Sequence, residues 1–203
     1  MILKLSENVK HSADKTVPRG FYVYIVWRYE ELITNEFEKG SCVVYGTNGI
    51  CVIEDITEMS FERGREKSRY FVLAPENSRG SKVYVPADNE TLMSKIRPLM
   101  TKEEIDELLT GMRDREFAWE KDRRFRTENF HEIMVNGVTQ ELLLMIRCIY
   151  MRKLELDQVG KKLPAADTNT LKSAEKLVEE EFSHVLGIER EDVGTYIRSV
   201  IGV

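Results

Sequence analysis

The chain is poor in the residue types that announce catalysis, metal binding or export. It has three cysteines in 203 residues (Cys42, Cys51 and Cys148), far apart and in no C-x-x-C pair. That spacing suggests neither a disulfide framework nor a zinc site, and a reduced cytoplasm fits it best. Its three histidines, His11, His131 and His184, have no acids and nucleophiles at triad-like spacing. No apolar run approaches the ~20 residues that span a bilayer; the run Leu142-Leu143-Leu144-Met145-Ile146 stops at Arg147. The N-terminus is mixed and polar, without the apolar core of a secretory signal. A positive balance is missing too: the net charge is −5 and the pI about 5.5. Bulk electrostatic binding to nucleic acid, which depends on Lys and Arg neutralising phosphates, is therefore excluded. Any DNA contact must be local, weak and assisted.

What is present is a soluble, globular composition, 32% charged and 42% hydrophobic. Residues 1–36 do not read like the rest. A polar stretch leads to the β-prone run Phe21-Tyr22-Val23-Tyr24-Ile25-Val26-Trp27. The extension reads either as a mobile or non-native leader or as an extra strand against a sheet edge.

From Phe37 to Pro98 short apolar runs break at glycines. Val43-Val44-Tyr45 and Ile50-Cys51-Val52-Ile53 flank Gly46-Thr47-Asn48-Gly49, a hairpin-like turn in which glycines can take φ > 0. Residues 60–68 read as a charged, solvated loop. Two further strands, Tyr70–Leu73 and Lys82–Val85, follow, and Pro86 ends the last because it cannot donate to a ladder. This pattern predicts a small, strongly bent antiparallel barrel. Strand 81–85 alternates Lys82 and Tyr84 against Val83 and Val85, which puts the valines on the core side. The displayed side is either an ordinary solvated face or an edge that adds a partner's strand.

From Thr101 the apolar period changes from 2 to 3.6. Thr101 and Glu104 make a capping box, with Gly111 as C-cap. Further helices are expected over 113–134 and 139–153, the latter apolar nearly all round and so the buried centre of a bundle. A fourth, capped by Asp167, carries Leu171, Ala174, Leu177, Val178, Phe182 and Val185 and stops at Gly187. A fifth spans 189–201. Adjacent acids such as Glu179-Glu180-Glu181 read as solvated helix faces. In 113–126 six bases face four acids, a net of +2. Within a helix, Trp119, Arg123 and Arg126 share a face at i, i+4, i+7. Such a stripe is either core, with Phe130 nearly in line, or an apolar wedge whose arginines seat on phosphates.

Five segments stand in an order that resembles the RNA polymerase-interaction domain of the CarD/CdnL family of bacterial transcription regulators, a domain also found in transcription-repair coupling factors. They are F-x-x-G-x-x-V-V-Y (Phe37 to Tyr45), G-I-x-x-I (Gly49 to Ile53), Y-F-V-L (Tyr70 to Leu73), K-V-Y-V-P (Lys82 to Pro86) and I-R-P-L (Ile96 to Leu99). The helical half is similar to the family's C-terminal domain in Trp119, Arg123-Arg124-Phe125-Arg126 and Gly137. Gly160-Lys161-Lys162 and Ala174-Glu175-Lys176-Leu177 are similar to the version common in Firmicutes.

The resemblance implies a segregated α+β protein: an N-terminal extension (1–36), a Tudor/SH3-like antiparallel β-barrel (37–99), and an α-helical bundle of about five helices (100–203). It implies a stand-alone, non-enzymatic cytoplasmic regulator without cofactor, metal or small-molecule substrate. The barrel would dock on the RNA polymerase β subunit through Met59, Lys82, Val83, Tyr84 and Val85. The helical domain would contact promoter DNA at the upstream bubble edge, weakly and in the minor groove, through Trp119, Arg123, Arg124 and Arg126, and so stabilise the open complex. Tyr84 stands where the family's last barrel strand carries an arginine. Two alternatives follow from the same features: an SH3-like nucleic-acid or ribosome-binding module with a helical dimerisation domain, and a polymerase-binding adaptor that never touches DNA.

Overall fold

A computed structural model describes residues 37–60, 67–78, 80–113, 115 and 117–201. The N-terminal extension and most of the expected loop over 60–68 lie outside the described residues. Residues 39–203 belong to one compact unit.

Five antiparallel strands form one sheet in the order β4-β3-β2-β1-β5. They are β1 (Cys42–Tyr45), β2 (Ile50–Met59), β3 (Ser68–Pro75), β4 (Val83–Pro86) and β5 (Ile96–Pro98). The β1–β2 connection is the expected glycine turn: a 3-10 turn over Gly46–Asn48, closed by Gly49 at φ 66°. A bulge between Ile53 and Asp55 leaves Glu54 without an opposite residue on β3, which bends the strand and increases its twist. The sheet is nonetheless open. Among the described residues β4 and β5 are its two edges and do not pair, so the expected closed barrel is corrected to a five-stranded open sheet. Strand β5 and the short helix α1 (Glu90–Met93) are further additions to the expected elements.

The register shows how an open sheet still holds a core. Val43 faces Cys51, Tyr45 faces Ile96, Ile53 faces Leu73, and Phe71 faces Val85. Directly opposed residues share a face, and all eight of these are buried. The opposite face at the β1–β5 end carries Val44, Ile50 and Arg97. These three line a void of about 10 Å³ together with Leu142, Leu177, Val178 and Glu181. Such a void has room for at most one water molecule, so sheet and helices meet here in close packing.

Helix α2 (Lys102–Gly111) starts at the expected capping box, in which the Thr101 hydroxyl accepts from Glu104 N–H and Glu104 accepts from Thr101 N–H. Its C-cap is Met112 rather than Gly111. Helix α3 (Arg123–Asn136) is much shorter than the 113–134 expected. Asp122 caps it by accepting from Arg124 and Phe125 N–H, and Gly137 closes it at φ 66°. Helix α4 (Thr139–Gln158), α5 (Ala165–Leu186) and α6 (Arg190–Ile201) complete the helical part.

The buried centre is α5, not α4. Leu171, Ala174, Val178 and Phe182 recur every three to four residues and are all buried, and α5 packs against α2, α3, α4 and α6. Helix α4 leaves Tyr150, Met151 and Leu154 exposed. Asp167 does not cap α5, because Pro164 occupies that place and Asp167 falls inside the first turn, buried.

The expected solvated acids on α5 are corrected as well. Glu180 and Glu181 are each 3% exposed. Glu181 receives both arms of Arg97 at 2.6 Å, the Met100 N–H at 3.2 Å and the Thr139 hydroxyl at 3.4 Å. Arg97 also donates to Thr139 Oγ1 at 2.8 Å and to the Gly137 carbonyl at 3.4 Å. Glu180 accepts from Asn77, in the β3–β4 connection, and from Arg190. The glycines seat the turn between these groups. A Cβ on Gly137 would lie 3.1 Å from Gly46 Cα, and one on Gly49 would lie 2.9 Å from Glu180 Oε2.

Candidate interaction surfaces

Two surfaces carry the residues singled out in the sequence. The first is the β4 end of the sheet. Val85 is fully buried while Tyr84 is 41% exposed, and Val83 is half-buried, so the expected alternation holds. Lys82 lies just before β4 and forms an ion pair with Glu54, at 2.9 Å, the residue displaced by the bulge. That hydrogen bond and charge hold the Lys82 ammonium above its usual range. Tyr84 is in register with Val72, and Val72 with Asp55. Met59 ends β2, four residues beyond Asp55, or about 13 Å along the strand. The sheet thus gathers Lys82, Val83, Tyr84 and Val85 and sets Met59 apart from them.

The second surface surrounds the start of α3. Trp119 is not on the helix: residues 117–121 are non-helical, so the expected Trp119–Arg123–Arg126 helical face does not exist. The indole instead packs edge-on against Phe130, ring centroids 6.3 Å apart, and stays half-buried. Two guanidiniums approach its ring, Arg126 at 4.4 Å and Arg152 at 5.8 Å from the centroid, both within cation–π range. Arg123 and Arg124 are exposed, Arg124 paired with Glu128 at 3.2 Å.

Arg126 departs from expectation. It is 5% exposed and locked to Asp167, Nε to Oδ1 at 3.1 Å and Nη2 to Oδ2 at 3.0 Å. A guanidinium so engaged is not presented to an outside phosphate. Phe125, named in the sequence only as part of the Arg123–Arg126 segment, is 66% exposed beside Arg124. An apolar side chain between charged ones carries no sequence signal of its own exposure.

His131 is exposed, and His184 lies 3.9 Å from Glu76 with both side chains partly open. Among the described residues no group of His, Cys, Asp and Glu is arranged to hold a metal ion, and no helix is long and apolar enough to cross a membrane.

With strand order and surface in place, comparison with known families is decisive for the first region. Residues 37–97 match the family described as the CarD-like/TRCF RID domain. This region is RID-like. The match runs from Phe37 to Arg97, in the middle of β5, so it covers β1 to β4, α1 and most of β5 and stops before α2. The match is consistent with a CarD-like family member. The RID domain is a non-enzymatic interaction domain associated with transcription and with the RNA polymerase β subunit. A comparison with curated protein sequences gives no match.

Proposed function

We propose that the protein is a transcription regulator in which the RID sheet docks on the RNA polymerase β subunit while the helical unit contacts promoter DNA and stabilises the open complex. The observation that carries this reading is the RID match over 37–97, with the Tyr84-bearing strand inside it. The sheet would be an open variant of a Tudor/SH3-like barrel, and Lys82, Val83, Tyr84 and Val85 would meet the β subunit, with Met59 at the margin. Trp119 would enter the minor groove at the upstream bubble edge, and Arg123 and Arg124 would seat on phosphates. The work belongs in the cytoplasm, where polymerase and promoter meet.

The charge balance supports the division of labour. At −5 the chain gains little from free duplex. Anchoring to polymerase raises the local concentration of the basic, aromatic surface around Trp119 at the promoter. A side chain that fits only distorted DNA then shifts the closed–open equilibrium by its differential affinity.

The direct test of docking is capture of the polymerase β subunit by the full chain and by Tyr84→Asp. Wild type is expected to retain β and the variant to lose it. Equal retention by a correctly folded Tyr84→Asp protein contradicts docking through β4. Tight promoter binding by the protein alone contradicts the dependence on polymerase.

A further inference from the structure

Among the described charged residues of the basic 113–126 stretch Arg126 alone is buried, and each of its three guanidinium nitrogens donates a hydrogen bond. Its Nη1 donates to the Glu120 carbonyl at 2.8 Å, one residue past Trp119. Its Nε and Nη2 take both oxygens of Asp167, 41 residues further along the chain. Its planar group lies 4.4 Å from the centre of the Trp119 ring. A single side chain therefore holds both the indole and the backbone beside it, from a base fixed on α5. Trp119 has no helix of its own to orient it, and these contacts supply what a helix would.

We infer that Arg126 and Asp167 are positioning residues, which set the indole of Trp119 in the orientation that meets DNA. The inference rests on the reading of Trp119 as the DNA-contacting side chain. Asp167 neutralises Arg126 inside the bundle, so Arg126 adds little to phosphate attraction. Its contribution is to limit the freedom Trp119 would otherwise lose on binding, which is how preorganised contacts gain affinity. Lysine cannot take the place of this arginine. It retains the charge but has neither the fork that holds Asp167 and Glu120 together nor the plane that stacks on indole.

The chain has two tryptophans, so the test uses the full-length protein with Trp27→Phe, leaving Trp119 as the only indole emitter. Arg126→Lys and Asp167→Asn are compared with this parent. Three quantities are read: acrylamide quenching of Trp119, the lifetime gain conferred on polymerase open complexes at saturating protein, and the salt dependence of that gain. Both variants are expected to raise the quenching constant and to lose most of the lifetime gain. The salt slope and the capture of polymerase β should stay at the parent's values. Neutralising Arg123, by contrast, should lower the slope by about one. Asp167→Glu, which keeps a carboxylate, should recover part of both losses. A direct phosphate contact predicts the opposite pattern, in which Arg126→Lys keeps the lifetime gain and Arg126→Met lowers the slope; that result overturns the inference. Unchanged quenching in both Arg126→Lys and Asp167→Asn overturns it as well. If Trp119→Ala leaves the lifetime at the parent's value, the DNA reading itself falls, and raised quenching in Arg126→Lys would then mark the contact as structural only.

Discussion

Tyr84 reaches the surface from a strand whose alternation turns Val83 and Val85 the other way. Trp119 reaches it from a non-helical segment gripped by an arginine and an aspartate that lie 7 and 48 residues further along. The first kind of exposure is specified locally, by the pleat and by cross-strand neighbours. The second is specified by a buried ion pair between two helices. Local specification survives most distant changes; long-range specification fails when a partner far away in sequence is altered. The two surfaces should accordingly differ in what disturbs them.

The largest expected effect attacks what both surfaces share. Phe182 is fully buried near the C-terminal end of α5, and Phe182→Ala is expected to cost about 3–5 kcal/mol, measured by denaturant unfolding of the full chain. A loss under about 1 kcal/mol would mean that α5 is not the hub. Close behind stands Arg97→Met, which strands the buried Glu181 carboxylate between sheet and helices. Removing one partner of such a pair costs about 3–5 kcal/mol, and the partly open Arg97 side chain, 19% exposed, puts it at the lower end of that range. Gly137→Ala probes the same junction by shape alone. Its φ of 66° and the 3.1 Å approach to Gly46 Cα predict a loss of about 1–2 kcal/mol from backbone strain, with the contact adding to it. Tyr84→Ala lies at the small end, within about 0.5 kcal/mol for an exposed position, yet it should remove capture of polymerase β. Such a split between stability and binding is what locally specified exposure implies.

A chemical probe sharpens the comparison inside the sheet. Burial, with the charge of Glu76 added, pushes the Cys51 thiol up to about 11, and burial raises Cys148 as well. Cys42 is exposed on β1. A thiolate-selective reagent near pH 7.5 should modify Cys42 alone, as read by intact mass. Rapid modification of Cys51 would mean that the open sheet does not hold its core.

Much of the sheet was legible because its signals are local. Glycines at the β1–β2 turn, the alternation of 82–85 and the stop at Pro86 each act within a few residues. The helix ends marked by the Thr101–Glu104 box, Gly137 and Gly187 were legible for the same reason. The start of α3 was misjudged because the charged, helix-prone stretch after Arg113 is overridden by Phe117 and Trp119 packing onto Phe130, with Arg126 holding the Glu120 carbonyl. Asp122 before Arg123 was the available N-cap signal. Pro164 likewise marked the start of α5 better than Asp167 did, since proline suits a helix start and an acid suits the first turn. The burial of Glu180 and Glu181 could not be read from the sequence, because their partners Asn77, in the β3–β4 connection, and Arg97, on β5, lie 103 and 84 residues away.

The central claim is that one surface anchors on polymerase so that the other can act on promoter DNA. The lifetime of open complexes formed with saturating Trp119→Ala protein tests it most directly, with capture of the β subunit measured on the same preparation. The account predicts capture equal to wild type and a lifetime close to that of polymerase alone. Capture equal to wild type with a wild-type lifetime would contradict it.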